Sequence, residues 1–379
     1  MEKEEKYTLS EFDEYIRQGE PESSQKARNW QTAIGLQAVD GLKPSKYLIE
    51  TARLHIEGEI DIDTAKELLH SYYESKTRRT AQDNETEEAD KVSANITQLL
   101  GTSTLSFNTN GYISVHRHIF DGVFKFAGQI RDYNITKKEW VLCGDTVSYL
   151  NHTDLRSALD YDIEQEKLFD YSGLQMPEVV QHIARFVSGL WQIHPFGEGN
   201  TRTTAVFTIQ YLRSIGFNIN NDLFEQHSWY FRNALVRANY KNAKKGIMYN
   251  FSFIELFLRN LLMNENNELK NRYMLINTKQ VQDEHRTSTE QVRDKLSAES
   301  IEILRLINVL GTERLSVKQM MEALSLKGRD NFLKLYLSPA IKDGCVNSVY
   351  PDRPNHPRQQ YFLTVKGVAI YNENRNTNI

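Results

Sequence analysis

The chain is organised around one short stretch, residues 193–204, which reads Ile-His-Pro-Phe-Gly-Glu-Gly-Asn-Thr-Arg-Thr-Thr. Apolar residues recur at helical spacing on both sides of it, so two helices are predicted to flank a short loop. The apolar positions before the loop are Val179, Ile183, Phe186, Val187, Leu190 and Trp191, and those after it are Val206, Phe207, Ile209, Leu212 and Ile215. The loop brings an imidazole, a carboxylate, an amide and a guanidinium to a helix N-terminus, where unpaired N–H groups favour anions. This pattern predicts phosphate chemistry within a helical fold.

The sequence His-Pro-Phe-x-Glu-Gly-Asn-x-Arg in this loop resembles the signature of the Fic family. Each residue alone has an ordinary interpretation as a cap, a turn former or one half of a helix-surface ion pair, so the combination carries the resemblance. The resemblance implies a mainly α fold, with a Fic helical bundle and a β-hairpin flap. It also implies an ATP-dependent nucleotidyltransferase, a protein adenylyltransferase that moves AMP to a Ser, Thr or Tyr hydroxyl of a target protein. Members of the family often modify themselves as well.

The resemblance assigns a role to each residue of the loop. His194 is expected to be the general base that takes the proton of the attacking hydroxyl. Glu198 is expected to hold Mg²⁺, a hard cation that prefers carboxylate and phosphate oxygens. Arg202 is expected to neutralise phosphate charge in the transition state. The remaining candidates for binding phosphate or nucleotide are Gly197, Gly199, Asn200, Thr201, Lys137, Tyr230 and Asn233.

Two positions depart from the family pattern. Thr201 stands where Gly is usual, and Ala205 stands where the family has a second Arg. In the family that Arg grips the γ-phosphate and pairs with an inhibitory Glu. Ala205 therefore affects the expected nucleotide orientation and the expected regulation.

Residues 1–75 are predicted to form a small helical domain, with breaks at Asp40-Gly41 and at Gly58. This segment resembles the VbhA-type antitoxin that inhibits some Fic proteins through Ser/Thr-x-x-x-Glu-Gly/Asn. The favoured alignment places Leu36 and Asp40 at the Ser/Thr and Glu positions, and an alternative uses Glu57-Gly58. Because Asp40 is short and Ala205 replaces its expected partner, we expect electrostatic inhibition to be weak. The alternative is a helical cap that only covers apolar surface.

Residues 76–270 are predicted to form the catalytic domain. Its first part, 76–95, lacks large apolar residues and reads as a mobile linker or a solvated helix. The later segment Phe126-Ala127-Gly128-Gln129-Ile130-Arg131 again looks like Fic. β-branched and aromatic residues alternate with polar ones in residues 133–143 around Lys137-Lys138-Glu139, which predicts a hairpin. In the family this hairpin is the flap that binds the backbone of the target protein. Lys137 is expected either to reach the triphosphate or only to keep the hairpin turn soluble.

Residues 285–379 are predicted to form three helices and a hairpin with a long Pro-rich tip, which resembles a winged helix-turn-helix. From Leu296 onward the sequence has eleven basic and eight acidic residues, which is a modest positive surplus for binding phosphate. The candidate DNA contacts are Lys327, Arg329 and Lys334 on the third helix and Arg353 and Arg358 on the wing. A domain that docks a protein is the equal alternative.

Composition narrows the remaining possibilities. A chain of 379 residues has room for two or three domains, and its net charge of −4 gives no overall attraction to nucleic acid or membranes. Two distant cysteines do not make a disulfide framework, and no apolar run approaches the ~18 residues of a membrane helix. We therefore expect a soluble cytoplasmic protein and leave a homodimer open. One alternative function is a winged-helix DNA-binding regulator whose Fic core binds nucleotide but is weakly active or inactive. Another is a Fic transferase that uses a different donor, such as UTP, GTP or a phosphodiester substrate.

Overall fold

The computed structural model describes residues 12–76, 80–102, 105–219, 222–276, 301–354 and 356–377. The predicted start of the C-terminal domain at 285 lies outside these residues. Within the described residues the protein is mainly helical with one two-stranded sheet, so the predicted fold class is confirmed. None of the described helices is long and apolar enough to cross a membrane.

The N-terminal part is a group of helices that end at the predicted breaks. Ser45 and Asp61 cap two of the helices with their side chains, and Gly41 and Gly58 adopt left-handed conformations where helical segments end. The helices are α1 (Asp13–Gln18), α2 (Pro21–Gly35), a 3₁₀ turn (Leu36–Asp40), α3 (Lys46–Glu57) and α4 (Ile62–Glu74).

A long helix, α5 (Ala81–Leu100), follows these elements. Thr80 and Asp83 start it with a capping box, which satisfies two backbone donors reciprocally. Of the two interpretations of residues 76–95, the helix is therefore the one observed. Asp90 on α5 is buried and accepts hydrogen bonds from Ser45 and Tyr73, which fasten α5 to the N-terminal helices.

The central bundle is built around a buried helix, α9. Every residue of this helix from Asn200 to Leu212 is buried, because neighbouring helices surround it. The bundle consists of α6 (Thr109–Ile119), α7 (Leu155–Leu168), α8 (Met176–Ile193), α9 (Asn200–Ser214), α10 (Asp222–Ala238) and α11 (Ser252–Met263).

The hairpin predicted for residues 133–143 is wrong. This segment is extended and ends in a 3₁₀ turn over Trp140–Leu142, with no strand pairing. The reversal is centred on the turn, where Gly144 N–H donates to Glu139 O and Cys143 is left-handed. Arg232 and Tyr149 bind the buried Glu139 carboxylate, so a residue assigned to the polar turn is an internal anchor instead.

The C-terminal part has the predicted three helices and hairpin, and a further helix that was not predicted. Val346 pairs with Leu363 and Ser348 with Tyr361 in the antiparallel hairpin. The elements are α12 (Ile301–Leu310), α13 (Val317–Ala323), α14 (Arg329–Phe332), a π turn (Leu333–Leu337), α15 (Ser338–Lys342), β1 (Val346–Ser348), β2 (Tyr361–Leu363) and α16 (Val365–Thr377).

The C-terminal helices pack directly on the central bundle. On α16, Asn372 donates to the Leu174 carbonyl and Glu373 accepts from the Met176 N–H. The backbones of Gly216 and Gly344 approach so closely that a Cβ on Gly344 would lie 2.0 Å from the Gly216 oxygen. Glycine at both positions is therefore needed for this contact.

Candidate active site

The loop between α8 and α9 is held in one conformation by its own residues. His194 and Gly199 both adopt left-handed backbone conformations, with φ of 51° and 76°. A Cβ on Gly199 would lie 2.2 Å from the Phe120 ring, so only glycine fits. The Asn200 side chain accepts from the Phe196 N–H at 2.9 Å and donates to the Phe196 carbonyl at 2.8 Å. Asn200, expected to bind phosphate, thus uses its amide to close the loop.

The imidazole of His194 is buried, and one of its nitrogens has no partner. Nδ1 lies 3.2 Å from the Trp191 carbonyl, which only accepts, so Nδ1 carries the hydrogen. Nε2 is buried without a hydrogen-bond partner among the described residues and keeps its lone pair. Burial, assisted by the positive charge of Lys137, holds the pKa of His194 well below its usual value. The ring is therefore neutral near pH 7 and can accept a proton at Nε2.

Arg131, a residue outside the loop, fixes the loop backbone. It donates from Nε to the His194 carbonyl at 2.8 Å, and its own N–H donates to the Pro195 carbonyl at 2.9 Å. The sequence identified Arg131 only as the last residue of the Phe126–Arg131 turn motif and gave it no role in the loop. Its position directly after that turn was the one feature of the sequence that could have indicated this role.

His116 on α6 joins the loop to the Gly128 turn. Its Nδ1 accepts from the Gly128 N–H at 2.8 Å, so Nε2 carries the hydrogen and donates to the Glu198 carbonyl at 3.1 Å. The ring stacks on Phe196 with centroids 3.7 Å apart. Burial lowers the pKa of His116 to about 4, which keeps it neutral. No motif in the sequence had assigned this residue a role.

The Glu198 carboxylate is the acidic group of the loop. Lys137 reaches it at 3.1 Å and 3.4 Å, and the Glu198 side chain is 45% exposed. The described residues contain no group of three or more His, Cys, Asp or Glu arranged to hold a metal. Mg²⁺ is commonly held by one or two carboxylates together with substrate phosphates and water. A single accessible carboxylate on the loop fits that kind of site.

The guanidinium of Arg202 is completely buried and bound by the N-terminal helices and α5. Nη1 donates to Gln37 Oε1 at 3.0 Å, and Nη2 contacts Glu88 Oε1 at 2.7 Å. Nε lies 2.8 Å from Asp40 Oδ2, in an ion pair without hydrogen-bond geometry. The guanidinium also lies over the Phe120 ring, 4.8 Å from its centroid. We call Gln37, Asp40 and Glu88 the arginine clamp.

The arginine clamp shows that one expectation about Asp40 is wrong. Because Ala205 replaces the second Arg, Asp40 was expected to lack a charged partner, but it pairs with Arg202. Ala205 itself is fully buried in the core. The sequence did not predict a role for Gln37 or Glu88. Glu88 lies in an acidic run that is typical of a solvated helix face.

Of the other nucleotide candidates, Gly197 and Thr201 belong to the loop, whereas no hydrogen bond or ring contact among the described residues joins Tyr230 or Asn233 to it. Tyr230 and Asn233 are buried on α10, where Asn233 Nδ2 donates to Asn271 and its Oδ1 has no partner within the described ranges. Thr201 accepts from the Trp191 indole at 2.9 Å. Gly197 lies under Tyr133, whose hydroxyl would be 2.7 Å from an added Cβ.

Two family models match parts of the chain. Residues 106–212 match the model of the Fic/DOC family, and residues 301–364 match the C-terminal domain of Filamentation induced by cAMP protein Fic-like. The chain therefore contains a Fic/DOC family domain followed by a Fic-like C-terminal domain. The first of these domains includes the whole loop and α9 as far as Leu212.

Relatives with assigned names match only part of the chain. Protein adenylyltransferase VbhT of Bartonella schoenbuchensis is 26% identical over 147 residues, 38% of this chain and 29% of the relative. Probable protein adenylyltransferase Fic of Escherichia coli K12 is 24% identical over 116 residues, 31% of this chain and 55% of the relative. This chain thus has distant homology to protein adenylyltransferases and spans less than two thirds of the length of either relative.

A solved structure of a Fic family protein from Desulfovibrio desulfuricans G20 aligns with 94% of this chain and 91% of its own. The sequence identity is 15% and the TM-score is 0.39.

Proposed function

We propose that this protein is a protein adenylyltransferase that moves AMP from ATP to a Ser, Thr or Tyr hydroxyl of a target protein. The observation that carries the proposal is the buried Nε2 of His194, a lone pair without a partner among the described residues, on a loop of fixed conformation. A buried acceptor left unpaired costs free energy, so its retention favours a chemical role. The distant homology to named protein adenylyltransferases supports the same reaction.

In this reaction the hydroxyl oxygen attacks the α-phosphorus of ATP. A new O–P bond forms, the bond from phosphorus to the oxygen that bridges to the β-phosphate breaks, and pyrophosphate leaves. His194 Nε2 takes the hydroxyl proton, and the Nδ1 hydrogen bond to Trp191 O keeps the ring oriented while it becomes positive. Arg131 maintains the loop because it binds the carbonyls of His194 and Pro195.

Glu198 would hold Mg²⁺, which would supply positive charge next to the phosphates. Lys137 now neutralises the Glu198 carboxylate at 3.1 Å. On nucleotide binding, this lysine moves to the phosphate oxygens. The backbone of Gly197 and Gly199 and the N-terminus of α9 would lie beside the same phosphates.

Arg202 would bind phosphate in the reaction, but its guanidinium is held by the arginine clamp. The chain as described is therefore a resting state, and Asp40 is a regulatory residue as the alignment with the antitoxin suggested. Glu88 shares this role. Activity requires that Arg202 exchange these two carboxylates for the phosphates.

The test measures transfer with and without the clamp. The full chain and its Asp40→Asn/Glu88→Gln variant are incubated with Mg²⁺ and ATP, UTP or GTP, and intact mass reports self-modification. We expect AMP addition that increases in the double variant and is abolished there by His194→Ala, since loss of a general base costs ~10²–10⁴-fold. His70→Ala, which removes an exposed imidazole on α4, is the matched control. Equal transfer rates in the double variant with and without His194→Ala would refute the role of His194. Addition of UMP or GMP instead of AMP would refute ATP as the donor.

A further inference from the structure

The C-terminal domain has two basic segments, residues 327–342 along the third helix and residues 350–354 and 356–358 at the tip of the wing. These segments contain six basic residues and two acidic ones, Asp330 and Asp352, although the whole chain has a net charge of −4. The basic residues are Lys327, Arg329, Lys334, Lys342, Arg353 and Arg358. We call these residues together the helix–wing surface.

We propose that the helix–wing surface binds duplex DNA, with the third helix in the major groove and the wing on the adjacent backbone. In a helix-turn-helix, the second helix of the motif enters the groove while basic side chains hold the phosphates on either side. Here α13 and the helix over 329–342 form that pair, followed directly by the β1–β2 hairpin. The proposal concerns a different surface from the proposed active site and does not depend on it.

The charged side chains of this surface are not used within the described part of the chain. None of the six basic side chains has a hydrogen bond or ion pair with another described residue, whereas Lys366 and Arg305 nearby bind Asp343 O and Tyr336. Cations that stabilised the fold would be paired internally, as those two are. Exposed cations concentrated in a helix and in the hairpin that follows it, without partners among the described residues, are the electrostatic footprint of a polyanion partner.

The third helix is also sterically accessible. Leu335 and Ile341 are 51% and 42% exposed, and Lys334 lies exposed beside Leu335. Pro339 has no N–H for the carbonyl of Leu335, and the helix widens into a π turn over Leu333–Leu337. Among the described residues, α16 packs on α8 and Gly344 approaches Gly216, and these contacts with the central bundle lie outside the third helix. Exposed apolar groups on such a helix suit thymine methyl groups.

Side-chain contacts on either side of residue 355 hold the two arms of the wing tip together. Gln359 accepts from the Tyr350 N–H at 3.0 Å and donates to the Tyr350 carbonyl at 2.8 Å. The Tyr350 ring packs on His356 at 3.9 Å, and prolines occupy 351, 354 and 357. A tip fixed in this way loses little conformational entropy when Arg353 and Arg358 contact phosphates.

The test is fluorescence anisotropy of a labelled mixed-sequence duplex titrated with the full chain between about 50 and 200 mM salt. Lys327→Gln/Lys334→Gln removes two cations from the third helix, and Lys167→Gln/Lys244→Gln removes two exposed cations from the central bundle and the loop after α10 as a matched control. We expect saturable binding. We expect the helix variant to bind at least about 10-fold more weakly, with a salt slope smaller by about 2 because each phosphate contact contributes ~0.9. The control keeps the parental slope.

Three results would overturn the proposal. They are no binding by the parent chain, equal loss in the control, and an unchanged salt slope in the helix variant. If the parent instead self-associates in sedimentation and Leu335→Asp abolishes this without DNA, the surface is a protein interface. Circular dichroism melts of each variant check that the exposed substitutions leave the fold intact.

Discussion

The arginine clamp leads to a prediction about how inhibition is distributed between two carboxylates. Asp40 and Glu88 approach different nitrogens of Arg202, at 2.8 Å and 2.7 Å, and their side chains are 28% and 22% exposed. Removing either one leaves the guanidinium with the other carboxylate and with Gln37. Each carboxylate alone is therefore sufficient to retain Arg202, and single substitutions should have small effects.

The magnitude follows from the geometry. A contact to a charged group contributes ~1.5–3 kcal/mol, and solvent reduces this for partly exposed partners, so we take ~1.5 kcal/mol for each carboxylate. Asp40→Asn or Glu88→Gln alone should raise the transfer rate less than about tenfold, since ~1.4 kcal/mol corresponds to tenfold. The double variant should raise the transfer rate about 100-fold. This exceeds the effect of either single change because each carboxylate can hold Arg202 when the other is removed. Glu87→Gln, which removes the neighbouring α5 carboxylate paired with Lys91, is the control.

The assays are single-turnover transfer and the thermal stabilisation by Mg–ATP. The double variant leaves Arg202 buried and without a carboxylate, which destabilises the free protein. Mg–ATP should therefore raise its melting temperature more than that of the parent. A rate increase of several hundredfold from Asp40→Asn alone would refute the shared clamp. An unchanged rate and thermal shift in the double variant would refute the idea that Arg202 must be released.

Two further predictions concern the support of the loop. His116 has a pKa lowered to about 4 from 6.5, so the native state binds fewer protons than the unfolded state between these values and loses stability as pH falls through them. Urea unfolding of the parent should show a loss of about 3 kcal/mol from this residue over that window, which His116→Gln should lack; parallel pH profiles would contradict the assignment. Gly199→Ala should cost about 1–3 kcal/mol more than Gly173→Ala, because both are left-handed but only the first meets Phe120. Equal costs in thermal unfolding would show that the Phe120 contact relaxes.

Features that depend on neighbouring residues could be predicted from the sequence. The helices on either side of the loop, the breaks at Gly41 and Gly58, and the β1–β2 hairpin all follow from local periodicity and turn chemistry. The loop itself was predicted from its motif. The helix α16 was not predicted, because it is polar over much of its length and shows little segregation of apolar residues to one face.

Features that depend on partners far away in the chain could not be predicted. The hairpin over 133–143 was expected from alternation, but Glu139 is drawn inside by Arg232, 93 residues later. Glu88 lies 114 residues before Arg202, and Gln37 lies 165 residues before it. A carboxylate in an acidic run looks the same whether it faces water or a buried guanidinium. Only the packing of the 3₁₀ turn (Leu36–Asp40) and α5 beside α9 distinguishes the two cases.

The N-terminal helices are part of the core as well as part of the clamp, and this decides how inhibition can be studied. Ala33, Leu36 and Val39 belong to the same buried cluster as α9. Gly35 contacts α10 so closely that an added Cβ would lie 2.3 Å from the Glu225 Cα. Deleting residues 1–75 would therefore expose apolar core and release Arg202 at the same time, so lost stability would mask any gain in transfer. Because Asn and Gln preserve the shape of Asp40 and Glu88, those substitutions remove charge without opening the apolar core, and a thermal melt of each variant measures the stability that the lost charge costs.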